Sequence, residues 1–133
     1  MLTIALDAMG GDRAPGEIVG GALDTVGELD DVSIVLVGDE ARVAPLLEGA
    51  NAAALDRIDT FHCTESVAMD EKPAQSMRSK PDSSLKRSAE LVAEGRAQAM
   101  ISAGNTGAQV AISAFVMGLL PEVSRPGIAV NFP

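Results

Sequence analysis

Aromatic side chains are almost missing from this chain of 133 residues: it has no Trp, no Tyr and only Phe61, Phe115 and Phe132. Stacking platforms for single-stranded nucleic acid need surface aromatics, so that class of binder is excluded. Basic residues are scarce, 10 against 19 acids, and the net charge of −9 is opposite in sign to what a nucleic-acid surface attracts. Cys63 is the single cysteine, which excludes an internal disulfide and a cysteine-rich zinc site. One thiol suits a reducing cytoplasm, the expected location. His62 is the single histidine, and no G-x-S-x-G turn accompanies it, so no Ser–His–acid set is visible. Long apolar runs are absent too. The longest, Ala108 to Leu120, is interrupted by Gln109, Ser113 and Gly118 and is too short to span a bilayer. The N-terminus has no basic segment and reaches Asp7 early, unlike a signal peptide.

What is present is an aliphatic composition, 47% hydrophobic, enough for a buried core in one domain. The pattern changes period along the chain. Thr3–Leu6 is a short β-type run ending at Asp7, and a glycine-rich loop follows to Pro15. Ile18, Val19, Ala22, Leu23 and Val26 then recur at helical spacing. Val32–Val37 is a nearly continuous β-branched run closed by Gly38, as in a strand buried on both faces. Asp39 predicts a helix cap, with the helix running to Leu47 and Glu48. Residues 57–63 predict a weaker strand. Pro73 opens a short helix to Ser79, and Asp82 or Ser83 caps the next, which ends at Gly95. A further strand is predicted over residues 97–102, an apolar helix from the following loop to Leu120, and the start of one more strand over Gly127–Asn131. Strand–loop–helix units repeated about four times predict an α/β domain with a doubly wound, mostly parallel sheet. The last helix is apolar almost all round and therefore expects cover on every side.

Two glycine loops occupy equivalent places, each after a strand and before a helix. The first is Asp7-Ala8-Met9-Gly10-Gly11-Asp12, the second Ser102-Ala103-Gly104-Asn105-Thr106-Gly107. In open α/β sheets ligands lie beyond the carboxyl ends of the strands. A helix start there offers unpaired N–H groups and positive dipole to an anion, and glycine lets backbone approach it. The competing explanation for each loop is a tight turn needing glycine only for φ > 0. Neither loop is a dinucleotide fingerprint or a P-loop. A third feature is basic: Lys72, Arg78, Lys80, Lys86 and Arg87 fall between positions 72 and 87, where Asp82 is the one acid. Ser83 and Ser84 stand at the expected helix start inside this positive island, either as caps or as part of an anion seat. Asp7, Asp12, Asp39, Asp70 and Glu71 are loop carboxylates that suit a hard cation, but local ordering and capping account for Asp7 and Asp39, so no metal and no cofactor are expected. His62-Cys63 on a strand is better explained by a core thiol and a half-exposed imidazole than by a nucleophile.

These segments together resemble the bacterial phosphate acyltransferases of phospholipid synthesis. The resemblance is carried in order by Asp7–Asp12 with Ala14-Pro15, by Val35–Asp39, and by Met69-Asp70-Glu71 with Pro73. It continues through Lys80 with Asp82-Ser83-Ser84, through Ser102–Ala108, and through Arg125-Pro126 with Ile128-Ala129. Arg13 and Pro81 depart from the family pattern. The resemblance implies a Rossmann-like three-layer fold similar to the isocitrate and isopropylmalate dehydrogenases. It implies that residues 1–133 are the N-terminal part of a single α/β acyltransferase domain, with the remaining strands, the second cleft wall and the dimer-forming helices beyond them. It further implies reversible acyl transfer from acyl carrier protein to inorganic phosphate, without a covalent enzyme intermediate. Lys80, Asn105 and Thr106 are then the expected catalytic residues. Ser83, Ser84, Gly104, Asn105, Thr106 and Gly107 would hold phosphate. Asp7, Gly10, Gly11 and Asp12 would form the substrate loop, and Arg78, Lys86 and Arg87 would meet the acidic carrier protein. A homodimer, peripheral membrane contact through parts outside these residues, and no nucleic acid are also implied. The alternatives are a short-chain acetyl or butyryl transferase to phosphate, a metal-dependent dehydrogenase relative, and an inactive fragment or anion-binding module.

Overall fold

A β-branched run such as Val32–Val37 must be covered on both faces, and in the computed structural model, which describes residues 1–132, it is. The elements are β1 (Leu2–Asp7), α1 (Gly16–Glu28), β2 (Val32–Gly38), α2 (Glu40–Leu47), α3 (Ala52–Leu55), β3 (Ile58–His62), α4 (Pro73–Ser79), α5 (Ser84–Ala93), β4 (Ala99–Ile101) and α6 (Thr106–Val116). The four strands form one parallel sheet in the order β3-β2-β1-β4. Ile4 of β1 stands opposite Ile34 of β2 on one side and Ala99 of β4 on the other.

Alternation sends successive side chains to opposite faces. Ile34 and Leu36 pack with Val19, Ala22 and Val26 of α1 and with Val43 of α2. Ala5 and Val37 face the other way, against Cys63, Leu91 and Ala97. A third cluster joins Leu85 and Ala89 of α5 to Ala108 and Ile112 of α6. Helices therefore cover both faces, as a doubly wound three-layer α/β fold requires.

Local chemistry sets most boundaries. The Asp39 carboxylate accepts the Ala41 N–H and starts α2. Ser83 is the cap of α5, its Oγ accepting from Lys86 N–H at 3.4 Å, while Asp82 is engaged elsewhere. Gly95, at φ +73°, stops the chain just after α5. Asn51 caps α3, a single turn that the hydrophobic pattern does not reveal.

The structure corrects three expectations at the C-terminal end. β4 is only three residues long, because β1 alone pairs with it. α6 ends at Val116 and not at Leu120, since Gly118 turns the chain at φ +82°. Gly127–Asn131 forms no strand and lies exposed, having no hydrogen-bonded neighbour among the described residues. Nor is α6 covered all round: Ala108 and Ile112 are buried, but Phe115 is 70% exposed. No helix among the described residues is long and apolar enough to cross a membrane.

Candidate functional site

From β1 the chain winds outward through β2 to β3, then returns to place β4 on the other side of β1. The order reverses between β1 and β4, and in open α/β sheets ligands bind outside the carboxyl ends of the strands at such a switch point. The two glycine loops are the segments that leave those two ends.

The loops are joined. Asp7, 3% exposed, accepts the Ser102 hydroxyl on one oxygen at 2.7 Å and the Met9 N–H on the other at 3.1 Å. Ser102 Oγ in turn accepts the Gly104 N–H at 3.1 Å. Two of the glycines are required by proximity. A Cβ on Gly10 would lie 2.5 Å from an Asp7 carboxylate oxygen and 2.7 Å from Ser102 Oγ. A Cβ on Gly104 would lie 3.2 Å from Gly10 Cα, so backbone meets backbone where the loops cross. Gly11 adds a left-handed φ of +103°. Asp12 is exposed at the outer end of the first loop.

Asn105 serves the fold with all its polar atoms. Its Oδ1 accepts the Ala108 N–H and caps α6 at 3.0 Å. Its Nδ2 donates to the carbonyls of Ala68, Met69 and Glu71 at 3.2, 3.2 and 2.9 Å. The side chain thus pins residues 68–71 to the second loop. Gly107 has a packing role as well, since a Cβ there would meet Pro73 at 2.8 Å. Thr106 and Gly107 are exposed at the mouth of α6.

Lys80 reaches the same strap from the other side. Its ammonium donates to the Ser66 carbonyl at 2.7 Å and pairs with the Glu71 carboxylate. The Lys80 hydrogen bond, then the Ala68 N–H, hold the Glu71 carboxyl below the usual carboxylate range. Glu71 is therefore the hinge of a network from Lys80 to Asn105. The sequence marks Glu71 as a cation candidate and as part of the Met69-Asp70-Glu71 segment of the resemblance, but not as the partner of Lys80. Among the described residues no three His, Cys, Asp or Glu side chains come together as a metal site would need.

Ser83 and Ser84 are buried, at 0% and 1% exposure. Their N–H groups donate to the carbonyls of Lys80 and Glu65. They fix the start of α5 from inside and do not face solvent. Three of the five basic residues of the positive island are paired with acids close to them in the chain, Lys80 with Glu71 and the other two on α5. Lys86 pairs with Glu90 at 3.5 Å, and Arg87 pairs with Asp82 and Glu90, both at 2.8 Å. Hydrogen bonds from the Thr64 hydroxyl, Arg87 and the Thr64 N–H pull the Asp82 carboxyl down to about 2. Lys72 and Arg78 are exposed, and neither forms an ion pair among the described residues. The Cys63 thiol is buried and pushed up to about 12, first by desolvation and then by the Asp82 and Asp7 carboxylates. Thiolate is the nucleophilic form, so this cysteine is inert at neutral pH.

A family model described as fatty acid synthesis protein matches residues 2–133. The chain belongs to that family. Among its relatives is the phosphate acyltransferase of Heliobacterium modesticaldum, 49% identical over 132 residues, which cover 99% of this chain and 39% of the relative. The phosphate acyltransferase of Desulforamulus reducens is 47% identical over 133 residues, 100% of this chain and 39% of its own length. That of Geobacillus thermodenitrificans is 44% identical over 132 residues, with 99% and 39% covered. The chain thus spans about two-fifths of the length of the curated relatives it matches.

Proposed function

We propose that this chain carries the phosphate-handling wall of an acyltransferase that moves a fatty acyl group from acyl carrier protein to inorganic phosphate. The observation that carries this is the joining of two glycine loops at the switch point of a parallel sheet, in a chain whose relatives are named phosphate acyltransferase. Phosphate attacks the thioester carbonyl, the carbon–sulfur bond breaks, and the carrier's thiolate leaves with formation of acyl phosphate. Such a reaction asks the protein for positioning and charge handling more than for covalent chemistry.

In this reading the exposed mouth formed by Gly104, Thr106 and Gly107 receives phosphate. Gly11, half-buried, lets the thioester approach the first loop, while Gly10, buried against Ser102 and Gly104, keeps the two loops close, with Asp7 and Asp12 ordering the first. Asn105 acts by holding residues 68–71 against the seat, Lys80 offsets charge from beside Glu71, and Ser83 and Ser84 fix the helix start beneath it. Arg78, Lys86 and Arg87 form the rim that meets the acidic carrier protein. A rim of that kind raises encounter rates more than affinity. The partners of the whole protein are then acyl carrier protein, phosphate and a second copy of the chain, working in the cytoplasm with peripheral membrane contact made elsewhere.

The test is phosphate-dependent acyl-phosphate formation, with acyl carrier protein and coenzyme A thioesters compared as donors. Asn105→Ala and Lys80→Ala are each expected to lower kcat/KM by about a hundredfold, the scale of a misplaced reacting group. Unchanged rates in both variants would remove the site, and a preference for acetyl- or butyryl-coenzyme A would favour the short-chain alternative. The non-catalytic alternative predicts a different result. Phosphate binding without turnover by residues 1–133 is its signature.

A further inference from the structure

Ser102 lies at the end of β4 and Asp7 at the end of β1, 95 residues apart in sequence, yet one hydrogen bond of 2.7 Å joins them. We propose that Ser102 is a positioning residue that sets the distance between the two glycine loops, and with it the width of the anion seat. The proposal rests on the phosphate reading above for its ligand, and on geometry alone for the tie.

Ser102 Oγ is used in both senses. It donates its proton to Asp7 Oδ2 and accepts the Gly104 N–H at 3.1 Å. Asp7 is committed on its other oxygen to the Met9 N–H. The chain of bonds therefore runs from Gly104 through Ser102 and Asp7 to Met9, out of one loop and into the other. Its members are held in place: Asp7 is buried, Gly10 packs against Ser102 Oγ with no room for a Cβ, and Gly104 packs closely against it. A hydrogen bond to a buried carboxylate is charge-assisted and short, which makes it a stiff spacer. Removing the hydroxyl leaves Asp7 Oδ2 and the Gly104 N–H without this partner while changing the volume by one oxygen atom. The Ser102 hydroxyl is engaged by Asp7 and the Gly104 N–H, in the joint between the loops, so its effect on a ligand is indirect.

The experiment uses the 133-residue chain with Ser102→Ala and Asp7→Asn, singly and together. The first measurement is amide hydrogen exchange, which needs no ligand. Ser102→Ala is expected to speed exchange about tenfold at Met9, across the joint, as well as at Gly104, while the centre of β2 stays protected. Faster exchange confined to residues 102–107 would overturn the tie. The second measurement is calorimetric titration with inorganic phosphate. Ser102→Ala is expected to weaken phosphate binding about tenfold, and the double variant to be no weaker than the poorer single variant, since both break one chain of bonds. Parent-like phosphate affinity in a folded Ser102→Ala chain would overturn the positioning role. If Ser102→Ala does not fold, Asp7→Asn, which keeps the side-chain shape, carries both measurements. A parent chain that binds no phosphate defeats the phosphate reading and the seat-width claim with it, while the exchange result still decides the tie.

Discussion

β2 and β4 are both short, apolar, parallel strands, yet they have opposite fates. β2 lies between β1 and β3 and is buried along most of its length, with Leu36 1% exposed. β4 has one neighbour, and its Ile101 is 51% exposed beside a shallow apolar groove shared with Ile4, Leu6, Ile18 and Ala22. The residues after α6 repeat the lesson. Leu120, Ile128, Val130 and Phe132 are each more than half exposed although their composition matches that of a core strand. Apolar content states a demand for cover, and only a neighbouring element meets it. An uncovered face of this kind favours self-association.

The largest expected difference between the two regions is in stability. Leu36→Ala should cost about 2–5 kcal/mol, the range for a fully buried aliphatic truncation, while Ile101→Ala should cost well under half of that. Urea unfolding of both variants measures it, and equal costs would show that the β4 edge is as well covered as the middle of the sheet. Next comes a pair of glycines. Gly10→Ala forces a Cβ to within 2.5 Å of the Asp7 carboxylate and should destabilise by about 1–3 kcal/mol, as overpacking does. Gly20→Ala, in the middle of α1 with nothing within 4 Å, should stabilise by about 0.5–1 kcal/mol through helix propensity. Thermal midpoints of the two variants should move in opposite directions.

The smallest effect is a pH dependence. Asp82 is held at about 2 in the folded chain, below its ordinary value of 3.8, so its contribution is fully present above that ordinary value. It is lost as pH falls from about 4 toward 2. Asp82→Asn should be less stable than the parent at pH 6 and approach it near pH 2. A constant gap between the two urea midpoints across that window would mean that Asp82 acts through shape and not through charge. Thr64 and Arg87, its partners, bridge the β3 end to α5.

Much of the fold was legible because its signals are local. Asp39 reads as a cap from its neighbours, the cap of α5 narrows to Asp82 or Ser83, and Val32–Val37 reads as a two-faced strand from its nearly continuous branching. α3 was missed because four residues carry too little periodicity, although Asn51 marked its start. The end of α6 falls before the expected Leu120 because Gly118, at φ +82°, turns the chain ahead of Pro121, which follows Leu120. At the site, the two loops were visible as glycine clusters, but the bonds within them were not. Ser102 attracts no attention as a serine in a loop, and it matters only because β1 and β4 are neighbours. Lys80 read as a free cation because Glu71 is nine positions away and its carboxylate returns through a turn.

Composition and periodicity by themselves determined an acidic, aliphatic α/β chain, the places where most of its strands and helices begin, and the two loops where backbone must come close to something. Those properties depend on residues within one or two turns of each other, and a linear reading reaches that far. Only the tertiary structure decided that β4 returns to the free side of β1. That return brings Asp7 to Ser102 and pins residues 68–71 beneath Asn105. Each depends on contacts between segments far apart in the chain, whose free energy exists only once the sheet has chosen its strand order.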